Sequence, residues 1–262
     1  MQRAMRWAPA AAVVAAAAFM FWGAAHYTFF DDEAFSFQRY ILPPGELVAA
    51  LRDGVEPDPP LYYLCVGAWI RVWGITPPAV RSLSILVYLL GLAALYAAGR
   101  AWFDAAAARW AVLLCALHPL HLFFGFAARW YGMMFLWTAL LLWTTAGACG
   151  WTRRSVSGDP AGIDAPRNER VRPGWFVAWV AAATAAFYTN YFAACVVGLL
   201  WLYGVYGARF SRRRMTAWIV SAAAVLLLYV PWGSALLAEL QRFPRMERSL
   251  TPYLASFART GA

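Results

Sequence analysis

The chain alternates long apolar stretches with short polar connections. Seven stretches are long enough, or nearly so, to cross a hydrocarbon core of roughly 30 Å as helices, at about 1.5 Å per residue. They cover residues 8–27, 79–98, 110–126, 131–149, 174–189, 191–207 and 215–232. This pattern predicts an all-α fold: a single polytopic membrane helical bundle of about seven transmembrane helices over residues 1–262.

The composition supports this class of protein. The chain is 63% hydrophobic and 13% charged, whereas soluble domains carry about 25% charged residues. The net charge of +9 comes from 22 Arg and no Lys. Their positions fit membrane topology, so we expect no nucleic-acid partner. The four cysteines are far apart in apolar surroundings, and their spacing predicts neither a metal site nor a disulfide framework.

The apolar segment Leu61–Trp73 is too short to be a clear span. If it does not cross, the segments on the N-terminal side of the membrane hold 13 Arg and four acids, against nine Arg and nine acids on the other side. If it crosses, the later Arg-rich turns are translocated, which violates the positive-inside rule. We therefore predict an amphipathic helix along the outer interface. Its aromatic residues suit the interfacial belt: Tyr62, Tyr63, Trp69 and Trp73.

The same rule orients the whole chain, with the N-terminus in the cytoplasm. Residues 28–78 then form an extracytoplasmic loop with interfacial helices, 150–173 a flexible cytoplasmic loop, and 233–262 an extracytoplasmic tail. A cleaved signal peptide is the alternative for the Ala-rich first stretch. Its apolar run is longer than the 7–15 residues or so of a typical signal core, which favours an uncleaved span.

Three consecutive acids, Asp31, Asp32 and Glu33, stand just beyond the first span. Carboxylates are costly to hold at the edge of a membrane, so a cluster there indicates function. A carboxylate beside an apolar wall is suited to act as a general base. The alternative is a cap, in which an acid at the start of an interfacial helix bonds the free backbone N–H groups.

Further candidates lie on the same predicted side. Asp58 precedes two prolines, so it is either the N-cap of the interfacial helix or a second carboxylate brought back toward Asp32. Arg129 lies between two spans, where it either binds phosphate or anchors the chain at the interface. Arg81, near the outer end of the second span, is a weaker candidate for the same two roles.

Two polar motifs interrupt the spans. His118 and His121 face the same way on a helix, but two imidazoles need a third ligand to make a good metal site. The structural alternative is that Pro119 kinks the helix and frees a carbonyl for a histidine. Asn190 lies in the tight turn 188–191, where it either lines an outward cavity or satisfies the turn.

These residues, in this order, resemble a known family. The chain is similar to the N-terminal part of the C-type (GT-C) integral membrane glycosyltransferases, in particular the RgtA/B/C/D-like group, which is related to protein O-mannosyltransferases and the aminoarabinose transferase of lipid A. Asp32-Glu33 matches an Asp-Glu pair after the first span in that family. The resemblance extends over nearly the whole chain, through motifs at residues 32–33, 58–63, 80–84, 118–121, 125–131, 188–192 and 230–232.

The resemblance implies transfer of a sugar from a polyprenyl-phosphate donor to a lipid, glycan or protein hydroxyl, at the outer face of a bacterial plasma membrane. Asp32 would be the general base and Glu33 would orient Asp32 or the acceptor. Arg129, with Arg81, would neutralise the leaving phosphate. The resemblance leaves open whether a divalent metal takes part. Membrane lipids would surround the chain, and the site would be lined by Asp31, Asp58, Tyr131, His121, Asn190 and Tyr191.

The chain departs from the family pattern at three positions. Asp58 and Asn190 stand where the family has His, and Ala127 where it has an acid. The family also continues with further spans, so we expect this chain to lack C-terminal spans of the family, as a truncated gene, a fragment or a minimal member. These departures keep a second hypothesis open: a non-catalytic membrane protein for binding, flipping or assembly of lipid-linked sugars. An ion-coupled transporter fits less well, because the predicted spans carry few ionisable residues near the midplane.

Overall fold

The computed structural model describes residues 2–150 and 171–260, with side chains for 7–30, 32–150 and 171–242. The described residues form helices only, with no strand among them. The helices are α1 (Gln2–His26), α2 (Asp31–Tyr40), α3 (Pro44–Arg52), α4 (Leu61–Trp73), α5 (Pro77–Trp102), α6 (Ala105–Leu117), α7 (Pro119–Phe126), α8 (Tyr131–Ala148), α9 (Pro173–Phe187), α10 (Ala193–Gly207) and α11 (Arg212–Thr260).

The all-α fold is therefore confirmed for the described residues. Three helical segments are long and apolar enough to cross a membrane: Trp7–His26, Pro77–Trp102 and Arg212–Arg242. A fourth is added if the bent pair α6 and α7 forms one span. The apolar helices α9 and α10 have 15 residues each, which at 1.5 Å per residue is short of a roughly 30 Å core. A polytopic helical membrane protein is consistent with these lengths.

The predicted third span, 110–126, is not one continuous helix. Helix α6 ends at Leu117, His118 is extended with φ −71° and ψ 127°, and α7 begins at Pro119. The two helices meet at a bend of 67°. Proline lacks the N–H that a continuous helix needs and disfavours the helical conformation of the residue before it. The expected kink at Pro119 is confirmed, and the predicted span stands only if the bent pair α6 and α7 crosses the membrane as one unit.

The predicted seventh span also has different bounds. Helix α11 does not end at residue 232, because it continues to Thr260. Most of the predicted tail 233–262 is thus helical. Of the predicted cytoplasmic loop 150–173, residues 151–170 lie outside the described residues, and α9 begins at Pro173.

Helix α5 is the centre of the bundle and packs against α1, α6 and α8. Its contact with α8 is the most extensive pair in the described chain. Glycines allow the close approach: a Cβ on Gly132 would lie 2.9 Å from the Ser84 carbonyl oxygen, and one on Gly91 would lie 2.5 Å from the Phe135 ring. Small residues serve this purpose where membrane helices pack closely.

Three apolar cores result from this packing. One joins α1, α5, α6 and α7, and another joins α8, α9, α10 and α11. A third surrounds α4, where α2 and α3 cover it beside α5, α8 and α11. The short helices α2, α3 and α4 thus form a packed layer on one end of the bundle. This layer holds the candidate residues in place.

The aromatic residues of α4 differ from the predicted interfacial belt. Tyr62 and Tyr63 are each only 1% exposed, so they belong to the core and not to a lipid-facing surface. Trp69 is partly buried and donates to the Ala79 carbonyl at 3.1 Å. Trp73 is exposed, as a belt residue requires. The apolar face of α4 therefore turns toward the bundle.

Candidate active site

A fully buried ion pair joins Glu33, in the first turn of α2, to Arg81, on α5. Arg81 Nη2 lies 2.5 Å from Glu33 Oε2, and Arg81 Nε donates to Glu33 Oε1 at 3.1 Å. The two side chains are 1% and 0% exposed, respectively. An ion pair without solvent is held only where hydrogen bonds satisfy the remaining donors and acceptors.

The remaining donors of Arg81 are filled by backbone carbonyls. Nη1 donates to Ala24 and Tyr27 at 3.4 and 2.7 Å, and Nη2 donates to Thr28 at 2.8 Å. With the two bonds to Glu33, each of the five guanidinium N–H groups has a partner. Arg81 is thus a structural cation that caps the end of α1. This contradicts its predicted role as a phosphate ligand, because no donor is left for a phosphate.

The Glu33 carboxylate is equally occupied. Besides Arg81, it accepts from the backbone N–H of Phe30 at 2.9 Å and of Ala128 at 2.5 Å. The bond to Phe30 is a helix cap at the start of α2, so the capping alternative holds for Glu33. The bond to Ala128 ties α2 to the connection between α7 and α8. These bonds make Glu33 a positioning residue and leave it unsuited to contact an acceptor directly.

Asp32 has the opposite environment. It is exposed, and its carboxylate has no hydrogen-bond or ion-pair partner among the described residues. The side chain of Asp31 lies outside the described residues. Because Glu33 bonds Ala128, the neighbouring residues Asp32 and Arg129 lie at the same end of the bundle. An accessible carboxylate on a fixed helix is suited to accept a proton.

Arg129 is the centre of a second charged cluster. Its Nη1 donates to Ser36 Oγ and, at 3.2 Å, to Glu56 Oε2, and its Nη2 donates to Asp58 Oδ2 at 3.2 Å. The Arg129 side chain is 13% exposed. Its Nε is buried and has no hydrogen-bond partner among the described residues. A buried donor without an acceptor is costly.

Glu56 is the carboxylate that sequence reasoning missed. It is 3% exposed, accepts from Tyr63 Oη at 2.6 Å and from Ser36 Oγ at 2.9 Å. Ser36 and Tyr63 were missed with it. The available signal was the spacing of Glu56 and Asp58, two acids separated by one proline shortly before the apolar segment Leu61–Trp73.

Asp58 is not a helix cap. Helix α4 begins after Pro60 without any side-chain cap, and the Asp58 carboxylate instead accepts from Arg129 and from Asn190 Nδ2, the latter at 2.9 Å. Burial raises the pKa of the Asp58 carboxyl above its ordinary value, and the nearby Glu56 raises it further, although Arg129 opposes both. The Asp58 carboxylate is thus a buried group that faces Arg129, and its return toward Asp32 stays a prediction.

The turn interpretation of Asn190 is supported, whereas its lining of an outward cavity stays a prediction. Its Oδ1 accepts from the Phe192 N–H at 2.9 Å, which satisfies the turn, while its Nδ2 holds Asp58. Tyr191 is next to it, but its hydroxyl accepts from Trp232 Nε1 at 3.2 Å. Asn190 therefore belongs to the Arg129 cluster, and Tyr191 links the turn to α11.

His121 and Tyr131 lie elsewhere. They line a cavity of about 170 Å³ between α5, α7 and α8, with Tyr88, Leu120, Phe124, Gly125, Gly132 and Phe135. Within the described chain, neither side chain hydrogen-bonds to the Arg129 cluster. The His118 and His121 rings pack edge to face with centroids 5.6 Å apart.

The described residues do not fit a divalent metal. No group of three His, Cys, Asp or Glu side chains lies together in the described part of the chain. Glu56 and Asp58, the nearest approach to such a group, hold the Arg129 guanidinium between them.

Comparison with known proteins found no relative of this chain. No family model, curated protein or solved structure matches this chain. The resemblance to the C-type glycosyltransferases thus rests on the motifs quoted above.

Proposed function

We propose that the chain is a glycosyltransferase that moves a sugar from a polyprenyl-phosphate donor to an acceptor hydroxyl, at the extracytoplasmic face of a bacterial plasma membrane. The seven-span topology with a cytoplasmic N-terminus belongs to this proposal. One observation carries it: the unpartnered, buried Nε of Arg129 beside Glu56 and Asp58. The substrate class comes from the family resemblance.

In this proposal, Arg129 recognises the donor phosphate. Its Nε–H needs an acceptor oxygen, and a phosphate oxygen supplies one with a charge-assisted bond. Burial alone would lower the pKa of the guanidinium, but Tyr63, Asp58 and Glu56 raise it, so Arg129 stays a cation. As the sugar leaves, negative charge grows on the phosphate, and a fixed cation stabilises that charge.

Asp32 serves as the general base. The acceptor oxygen attacks the anomeric carbon while its proton passes to the Asp32 carboxylate. The bond between the anomeric carbon and the phosphate oxygen breaks, and its electron pair leaves with the lipid phosphate. Glu33 holds α2 in position for this step through Arg81 and Ala128.

The test combines lipid binding with turnover. The purified full chain is mixed with polyprenyl phosphate and examined by native mass spectrometry, as wild type, Arg129→Ala and Arg71→Ala. Arg71 is the control because it is an exposed Arg with a bond to the Leu42 carbonyl. Binding lost only in Arg129→Ala supports the proposal. Equal binding in all three proteins contradicts it.

Turnover is measured by transfer from polyprenyl-phosphate sugars in proteoliposomes. Asp32→Asn should bind the lipid normally and lose about 10²–10⁴-fold in rate, as expected on removal of a general base. Full turnover in Asp32→Asn would exclude the role of Asp32.

The second candidate is a non-catalytic protein that binds, flips or helps to assemble lipid-linked sugars. The contacts of Arg81 favour this candidate. Arg81 is one of the two predicted phosphate ligands, and its N–H groups already bond protein acceptors. This candidate predicts polyprenyl-phosphate binding that depends on Arg129 but no sugar transfer in wild type.

A further inference from the structure

A strongly basic turn connects α10 and α11. Four Arg occur within residues 209–214, and the sequence contains no acid from 171 to 238. Arg209, Arg212 and Arg213 are exposed. Neither Arg212 nor Arg213 has an ion-pair partner among the described residues. Three cations therefore share one small surface without a compensating carboxylate in these flanking helices.

Aromatic rings hold Arg209 in place. Its guanidinium carbon lies 4.1 Å from the centroid of Tyr206 and 4.5 Å from that of Phe210. Nη1 donates to the Tyr206 carbonyl at 3.0 Å. Both rings are themselves exposed. A guanidinium held on ring faces keeps its other N–H groups free to bond an oxyanion.

Arg214 fixes the turn to the rest of the bundle. Its side chain is buried, and Nη1 donates to the Cys149 carbonyl at the end of α8, at 3.2 Å. The turn is thus anchored by one Arg and presents the other three outward. Ordered cations bind an anion with less loss of conformational entropy than free ones.

The turn lies where a membrane span ends. The segment of α11 that is long and apolar enough to cross begins at Arg212, and α10 is an apolar helix. Exposed Tyr and Phe rings beside Arg are typical of the boundary between acyl chains and headgroups. The charge and the position of the surface both complement the phosphates of anionic lipids.

We propose that the turn between α10 and α11, formed by Tyr206, Arg209, Phe210, Arg212 and Arg213, binds the headgroups of anionic phospholipids. The phosphates bond the three guanidinium groups, and the two rings insert at the base of the headgroups. An acidic protein segment on the same surface is the competing partner that the experiment excludes. The proposal is independent of the proposed transferase activity.

The experiment titrates the delipidated full chain with phosphatidylglycerol and with phosphatidylcholine of the same acyl chains, read out by native mass spectrometry. The test variant carries Arg209→Gln, Arg212→Gln and Arg213→Gln. A control variant carries Arg39→Gln, Arg52→Gln and Arg71→Gln, which removes the same charge from another surface. A third variant carries Arg209→Lys, Arg212→Lys and Arg213→Lys, which keeps the charge of the turn.

Wild type should prefer phosphatidylglycerol, and the test variant should lose that preference by on the order of 100-fold, at roughly fivefold for each Arg near a lipid surface. The control and Lys variants should keep most of it. Equal affinity of wild type for both lipids would overturn the proposal. An equal loss of preference in the control variant would also overturn it. An unchanged preference in the test variant would overturn it too, and would leave the surface to another partner such as an acidic protein segment.

Discussion

Glu33 Oε2 lies 2.5 Å from Arg81 Nη2, in an ion pair that neither solvent nor lipid reaches. The pair joins three parts of the fold: the end of α1, the start of α2 and the start of α5. Through the bond from Glu33 to the Ala128 N–H it also fixes the α7–α8 connection. Two side chains thus position both Asp32 and Arg129 without contacting a substrate.

The first prediction concerns this pair. Arg81→Met should destabilise the chain by about 3–5 kcal/mol, because removal of one partner leaves the other charge buried and unpaired. Glu33→Gln should have a similar effect. The double variant should be less destabilised than the sum of the two, since no lone charge remains. The measurement is a double-mutant cycle from thermal unfolding in detergent.

Arg71→Met is the matched control, because Arg71 is exposed and makes one bond to the Leu42 carbonyl. It should change stability little. Strict additivity of the Arg81 and Glu33 effects would show that the pair is not coupled, against this interpretation.

The ends of a helix were predictable where proline or glycine marks them in the sequence. Helix α4 begins and ends at the predicted residues, Leu61 and Trp73. Prolines stand before it, and Gly74, with φ 86°, follows it and stops the helix. By contrast, α11 continues beyond residue 232, where the predicted seventh span ends.

The pairing of charges was not predictable from local pattern. Glu33 meets Arg81 across 48 positions of sequence, and Arg129 meets Glu56 across 73. The sequence indicated Arg129 and, more weakly, Arg81 as phosphate ligands. Tertiary contacts give Arg81 five protein acceptors and leave Arg129 with an unpartnered Nε. Which acid each Arg selects depends on helix packing, which hydropathy does not report.

The second prediction concerns the contact of α5 with α8. Gly132→Ala should destabilise the chain, because its Cβ would lie 2.9 Å from the Ser84 carbonyl oxygen and backbone must move to relieve the clash. Gly198→Ala is the control in α10, since a Cβ there meets nothing within 4 Å. It should be neutral or stabilising by up to about 1 kcal/mol, from helix propensity. Thermal midpoints in one detergent measure both, and equal midpoints would contradict the close contact.

The third prediction concerns Asn190. Asn190→Ala removes both the donor to Asp58 and the acceptor of the Phe192 N–H. Leaving the buried Asp58 carboxylate without this donor should cost about 1–3 kcal/mol. Gln38→Ala removes an exposed amide and should cost much less. If the two variants unfold at the same temperature, the link from Asn190 to Asp58 contributes nothing to stability.

The last prediction concerns the pH dependence that Asp58 confers. Its pKa in the folded chain is raised above the ordinary value of 3.8, chiefly by burial. Between these two pKa values the folded chain binds more protons than the unfolded chain, so the free energy of unfolding falls as pH rises through that window. Asp58→Asn cannot titrate. The thermal midpoint of wild type minus that of Asp58→Asn should therefore decrease as pH rises above about 4, and level off above the folded pKa.

Asp53→Asn is the control, because Asp53 is an exposed aspartate in the same loop. Its midpoint should run parallel to that of wild type across the pH range. A difference between wild type and Asp58→Asn that increases with pH would mean that Arg129 outweighs burial and favours the ionised carboxylate. That result would make Asp58 a permanent counter-ion of Arg129, because it would hold its charge wherever the protein is folded. The decrease expected here instead makes Asp58 a buried group that exchanges a proton beside the cation.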